Sequence, residues 1–119
     1  MKINKFEDII AWKKAGELTA NIYKEFKTCR DFSFRDQIQR ATISIMNNIA
    51  EGFERSTNKE FINFLYIAKG SCGEVRSILY LAIKFKYVSE SSFKNNYQLT
   101  FNIRNFKVNF RLDKNFITL

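Results

Sequence analysis

Apolar residues recur along this chain at three- and four-residue intervals, the period of a helix with one buried face. From Phe6 to about Lys27 they fall at Phe6, Ile9, Ile10, Trp12, Ala15, Ile22, Tyr23 and Phe26, with Lys13, Lys14, Glu17, Lys24 and Glu25 off the stripe. A second run, about 34–54, steps through Phe34, Ile38, Ala41, Ile45 and Ile49. The third and longest, about 58–86, carries Phe61, Phe64, Leu65, Ala68, Cys72, Val75, Ile78, Leu79, Ala82 and Phe85. A fourth, about 90–112, is weaker: Leu99, Ile103, Phe106 and Phe110 keep the helical step, but Phe106 to Leu112 also alternates as a strand would. Residues 113–119 are expected to be a frayed tail.

The hydrogen-bonding residues between the runs fit helix starts. Ser33, with Asp36 after it, suits the second helix, Ser56 or Thr57 with Glu60 the third, and Ser89 the fourth. With no Pro and only 4 Gly, the chain has few breakers. Four helices on short connections pack most simply up-down-up-down, so the expected fold is all-α, an antiparallel four-helix bundle filling residues 1–119 as a single domain.

Two stretches strain that simple pattern. Ile45 to Gly52 places Asn48, Glu51 and a missing side chain beside Ile45 and Ile49. A buried amide or carboxylate without a partner costs about 1–3 kcal/mol, so Arg40, Arg55 or Arg76 should supply donors. Arg40, Asn48, Glu51, Arg55 and Glu74 are therefore expected to form a structural polar network, and Glu51→Ala to lower stability or assembly. If Glu51 lies at the solvated end of an amphipathic helix closed by Gly52, no such network is needed. In the third run, Ala68 to Glu74 holds Gly70 and Gly73, each costing about 1 kcal/mol inside a helix. Close approach of the second helix would offset that cost; a break between two helices would also explain it.

Composition changes the picture in two ways. Thirteen Phe and 5 Tyr are more aromatic surface than one bundle interior should absorb, and Phe61 to Ile67 nearly encircle one helix, so a second buried face and self-association are expected. The 20 Lys and Arg against 12 Asp and Glu leave a formal charge of +8 with no His, spread over three segments, which predicts an anionic partner or serves solubility. Acidic residues follow the start too soon for a signal peptide and no apolar run approaches about 20 residues, so a cytoplasmic location without a membrane span is expected.

The chemistry that remains is sparse. Without His there is no Ser-His-Asp or Cys-His arrangement and no imidazole-held zinc; Cys29 and Cys72 are too few for a disulfide framework, and Cys72 suits a small core position. No phosphate-cradling glycine loop precedes a Lys and a Ser or Thr. Glu51 and Glu74 are the carboxylates that could face each other between the second and third helices, but acid-base work there would need an open cleft. No cofactor, metal or catalytic residue is expected.

Asn48-Ile-Ala-Glu-Gly52, Arg55-Ser56, Glu60-Phe61, Phe64-Leu65, Ile67-Ala68, Gly70-Ser71 and Glu74, with Phe6 to Ala15 and Gln37 to Ala41 before them, resemble the 23S rRNA intervening-sequence protein family, also called four-helix bundle proteins. The resemblance covers about residues 6–87. It implies a bacterial bundle assembling into a ring-like homopentamer without established catalytic activity. A related branch, the accessory variability determinants of diversity-generating retroelements, binds nucleic acid and a reverse transcriptase. Met46-Asn47 replaces the Pro-containing run common in the family, and Cys72-Gly73 replaces a longer apolar residue and a helix former.

The expected function is non-enzymatic binding of RNA or DNA backbone, with contacts drawn from Lys13, Lys14, Lys24, Lys27, Lys69, Lys84, Lys86, Arg104, Lys107 and Arg111. The alternative is an oligomeric protein-interaction module whose charge serves solubility or an acidic protein partner.

Overall fold

The computed structural model describes residues 3–105 with their side chains and the backbone of residues 107–108 and 117–118. A single 3-10 turn at Phe6–Asp8 leads into four helices: α1 Ile10–Glu25, α2 Phe32–Glu54, α3 Asn58–Lys84 and α4 Glu90–Arg104. Each packs against the next, α4 closes back on α1, and α2 with α3 forms the most extensive pair. Short connections make successive helices antiparallel. The described fold is the expected all-α bundle.

The first predicted helix, 6–27, is instead a turn and a shorter helix. Ile9 is extended (φ −75°, ψ 119°) and its side chain is buried, so burying it breaks the helical path between Asp8 and Ile10. Its stripe is also rotated from expectation: Ala11, Ala15, Leu18 and Ile22 face the core, while Ile10 and Tyr23 are exposed. Trp12 packs against the core with its ring 5.2 Å from that of Phe6, edge to face.

α2 begins two residues earlier than the predicted 34–54 because Asp31, not Ser33, caps it. The Asp31 carboxylate accepts the Phe34 backbone N–H at 3.2 Å, and a carboxylate also suits the positive end of a helix. Asp36 completes no capping box and lies 3.7 Å from Arg35. α3 starts on Thr57, whose hydroxyl accepts from the Glu60 backbone at 3.1 Å. It runs unbroken through Gly70 and Gly73 but stops at Lys84, two residues short of the predicted end.

That stop has a defined geometry. Tyr87 N–H donates to Ala82 O at 2.8 Å and Lys86 N–H to Ile83 O at 3.1 Å, the paired bonds of a Schellman motif. The motif needs one left-handed residue, and Lys86 supplies it with φ 62° where Gly would be unstrained.

Ser89 caps α4 as expected, accepting from Ser92 N–H at 3.1 Å. The fourth helix ends at Arg104, not at 112: Lys107–Val108 pairs antiparallel with Ile117–Thr118, so the alternating pattern prevails there over the helical one. Part of the predicted frayed tail is thus paired, and residues 113–116 and 119 lie outside the described residues. α4 is polar for a core helix, with Asn96 and Thr100 buried. Both are satisfied: Asn96 accepts from Asn21 at 3.2 Å, and the Thr100 hydroxyl donates to Tyr97 O at 2.6 Å while accepting from Arg76 at 3.3 Å.

Candidate functional site

The α2–α3 contact is built on a glycine, but not on either glycine of α3. A Cβ placed on Gly52 would lie 2.6 Å from Phe64 Cβ, 3.0 Å from Phe61 Cδ1 and 3.3 Å from Phe61 O. The same construction finds nothing within 4 Å of Gly70 and only an Arg76 side-chain atom, at 3.6 Å, near Gly73. Close approach therefore runs through the last turn of α2. The small residue of α3 that meets α2 is Ser71, and Ala68 and Cys72 near it are buried.

The residues of the expected polar network fall in three places. Glu51 and Arg55 form an ion pair at 2.9 Å on the surface, with half-exposed side chains, and Arg55 also lies over the Phe64 ring at 4.9 Å. Arg40 and Glu74 line an open depression of about 440 Å³ with Ser33, Asp36 and Gln37. Asn48 belongs to neither group: it donates to Ser44 O at 2.7 Å and lies 3.1 Å from the Ser44 hydroxyl, which meets the Ser71 hydroxyl at 3.0 Å. That link ties α2 to α3 without a charge. The four-residue spacing of Ser44 and Asn48, and Ser71 within the small-residue patch, were its sequence signals.

Glu51 and Glu74 do not meet. Gly52 abuts Phe61 and Phe64, whereas Ser44 abuts Ser71, which fixes the antiparallel register. Glu51 then sits level with Phe64, about ten residues or roughly 15 Å of helix rise from Glu74. Among the described residues no group of three or more Cys, Asp or Glu could hold a metal ion. The Cys72 thiol is pushed up to about 11, chiefly by burial and against the opposing pull of Arg76 and Arg104, so it is a poor nucleophile at neutral pH.

The basic residues divide by place. Lys13 and Lys24, eleven residues apart, share one outward face of α1, with Glu17 between them and Lys14 at its edge. Lys69 is exposed on α3. Lys27, Lys84 and Lys86 cluster at the end where the α1–α2 and α3–α4 connections converge. Arg104 lies over the Phe101 ring at 5.4 Å, and Arg76 approaches the same ring at 4.5 Å. Lys107 contributes its backbone to the short strand, and its side chain and all of Arg111 lie outside the described residues.

Periodicity alone did not disclose how aromatic that end is. Phe34 contacts the rings of Phe26 at 5.9 Å, Phe85 at 6.0 Å and Tyr87 at 5.1 Å, and Phe85 stands 5.6 Å from Tyr87. Tyr87 donates its hydroxyl to Asp31 at 2.8 Å, which raises its pKa above the ordinary value and fastens the second connection to the cap of α2. Phe32 and Phe85 are more than half or half exposed, at 58% and 50%, and Arg35 lies over the Phe32 ring at 4.8 Å.

Comparison with known proteins fits this architecture. A family model described as 23S rRNA-intervening sequence protein matches residues 7–107. The chain is also similar to the crystal structure of a protein of unknown function from the S23 ribosomal protein family of Bacteroides thetaiotaomicron: TM-score 0.74, 26% identity, covering 80% of this chain and 92% of that one. No curated protein matches. With the model spanning most of the sequence, including the Gly52 crossing and all four helices, the chain belongs to the 23S rRNA-intervening sequence protein family.

Proposed function

We propose that this protein is a non-enzymatic nucleic-acid-binding bundle that holds RNA or DNA by its phosphates. The observation that carries the proposal is the state of its lysines. Among the described residues, Lys13, Lys14, Lys24, Lys27, Lys69, Lys84 and Lys86 make no ion pair, whereas Arg35 pairs with Asp36, Arg55 with Glu51 and Lys94 with Glu90. Unpaired ammonium groups on a chain of +8 release counterions from a polyanion on contact, and that release drives binding. The family's description, which names an element of ribosomal RNA genes, is in keeping with it.

Self-association accompanies this function. Tyr66 is 67% exposed, Ile67 51% and Leu81 45%, all on the outward side of α3, and burying them between copies would remove apolar surface from water. The family resemblance supports a ring of five, which would repeat the basic surface around an axis.

The test is titration of the purified protein with a structured RNA hairpin and with duplex DNA across a salt series, alongside the mass of the particle by light scattering. Binding that falls steeply with salt is the expected result. No binding to either at low salt would overturn the proposal, and the charge would then serve solubility or an acidic protein partner.

A further inference from the structure

We propose that the bundle end formed by the α1–α2 and α3–α4 connections is a stacking platform for the unpaired nucleotides of a single-stranded nucleic acid. The proposal rests on the nucleic-acid function above and specifies its site and the form of its ligand.

Charge is the first support. From Glu25 to Asp36 and from Lys84 to Glu90, this end carries Lys27, Arg30, Arg35, Lys84 and Lys86 against Glu25, Asp31, Asp36 and Glu90. Three of those carboxylates are occupied, Asp31 by the Phe34 backbone and the Tyr87 hydroxyl, Asp36 by Arg35 and Glu90 by Lys94. The opposite end, residues 3–8, 54–60 and the last turn of α4, has Lys5, Arg55, Lys59 and Arg104 against Glu7, Asp8, Glu54 and Glu60. Among the described residues of the aromatic end, Lys27, Arg30, Lys84 and Lys86 therefore stand without an ion pair, while most of the carboxylates beside them are engaged. Lys84 also answers the negative end of the α3 dipole, but Lys27, Arg30 and Lys86 lie beyond the helices.

Exposed rings are the second. Single-stranded binding joins a positive surface that follows the backbone to aromatic faces on which bases stack, because every base has a π-face. Phe32 and Phe85 are exposed to solvent, Arg35 lies over the Phe32 ring at 4.8 Å, and contacts with Phe34 and Tyr87 hold the Phe85 ring in place.

The third support is strain. Lys86 occupies a left-handed turn position that Gly would fill without cost, and its exposed side chain stands between Phe85 and Tyr87 in sequence. A strained position that keeps a charged side chain points to use of that side chain. These groups address ring faces and phosphates, so ribose and deoxyribose strands should bind alike and a duplex, whose bases are stacked away, less well.

The experiment is fluorescence anisotropy with labelled oligo-U, oligo-dT and a duplex of equal length, on the full chain and on Phe32→Ala, Phe85→Ala and Lys86→Gly, each melted in parallel. The wild type should prefer both single strands. Each Phe variant should weaken them about fivefold or more and leave duplex binding unchanged. Lys86→Gly should melt higher yet bind single strands more weakly, with a salt slope lower by about 0.7. A loss of binding in a more stable protein cannot come from unfolding. Wild-type binding that is duplex-selective or sugar-selective, or that survives all three substitutions, overturns the platform and leaves the general function standing. Absence of binding to all three ligands overturns both.

Discussion

The most informative perturbation of the fold is Gly52→Ala. In a helix interior the substitution by itself should stabilise by about 1 kcal/mol, since Ala is the best helix former and Gly among the worst. Here the new methyl would lie 2.6 Å from Phe64 Cβ and 3.0 Å from Phe61 Cδ1. Carbon atoms rest at about 3.5–4.0 Å, so α2 and α3 must part by roughly 1 Å at this level. Phe64 Cβ is fixed to its own backbone and cannot swing aside, and Phe61 is fully buried. Overpacking of this kind costs about 1–3 kcal/mol, and a 1 Å gap forfeits a quarter to a half of the contact energy along the separated seam. Because Phe64 Cβ cannot move, the cost falls in the upper part of that range, and after the propensity gain of about 1 kcal/mol the net expectation is destabilisation by about 1–2 kcal/mol, or roughly 3–8 °C in melting temperature for a chain of this size. Thermal and urea unfolding followed by circular dichroism measure it. A variant as stable as the wild type, or more so, would refute the close approach at Gly52 and return that role to α3.

Gly70→Ala is the converse: nothing lies within 4 Å of the added methyl, so the helix gain stands alone and stability should rise by about 0.5–1 kcal/mol in the same melts. Lys86→Gly should stabilise by about 1 kcal/mol through relief of the left-handed turn, read as a shift in the urea midpoint without change in slope. Glu51→Ala removes only a surface pair at i, i+4 and should change the stability of the bundle by less than about 0.5 kcal/mol; a larger loss would mean that assembly buries the pair. Because burial raises the Cys72 thiol to about 11, the unfolded chain releases that proton first as pH climbs above about 9. The thiol's contribution is therefore whole below the unfolded pKa and lost as pH rises through the folded one. The stability gap between wild type and Cys72→Ala should shrink from pH 9 to pH 11, by chemical denaturation at each pH.

Helix number and order were legible because the buried positions of α2 and α3 recur strictly, and Ile38, Ala41, Ile45 and Ile49 have no plausible second period. The cap at Ser89 was legible because it is the first hydroxyl after the connection, whereas the cap of α2 was misplaced because Asp31 and Ser33 competed, and a sequence does not show which of two acceptors the chain geometry will use. The glycines misled for a related reason. Gly52, Gly70 and Gly73 look alike in one dimension, and only the rotation of each helix decides which glycine faces a neighbour. Glu51 was placed among buried groups because it adjoins Ile49 in sequence, but around the helix it lies about 160° from that residue and reaches water. The aromatic end was invisible to periodicity because Phe32 and Tyr87 stand at and beyond helix termini, and no repeat relates residues more than fifty positions apart.

Stability and surface chemistry fall in different parts of this molecule, and the reason is the register of α2 on α3. The crossing at Gly52 lies at the far end of α2 from Asp31, about 20 residues or 30 Å along the helix. The Ser44–Ser71 link and the buried stripe of Ile38, Ala41 and Ile45 lie between, so the rings at the basic end are not needed to hold the Gly52 contact together. Sites so far apart should respond independently. Changes at Gly52 should alter melting without altering the nature of the basic surface, whereas Lys86→Gly should move melting and binding in opposite directions. A bundle whose exposed end existed only to close the fold could not give that opposition, because every substitution that tightened the turn would then serve the whole protein.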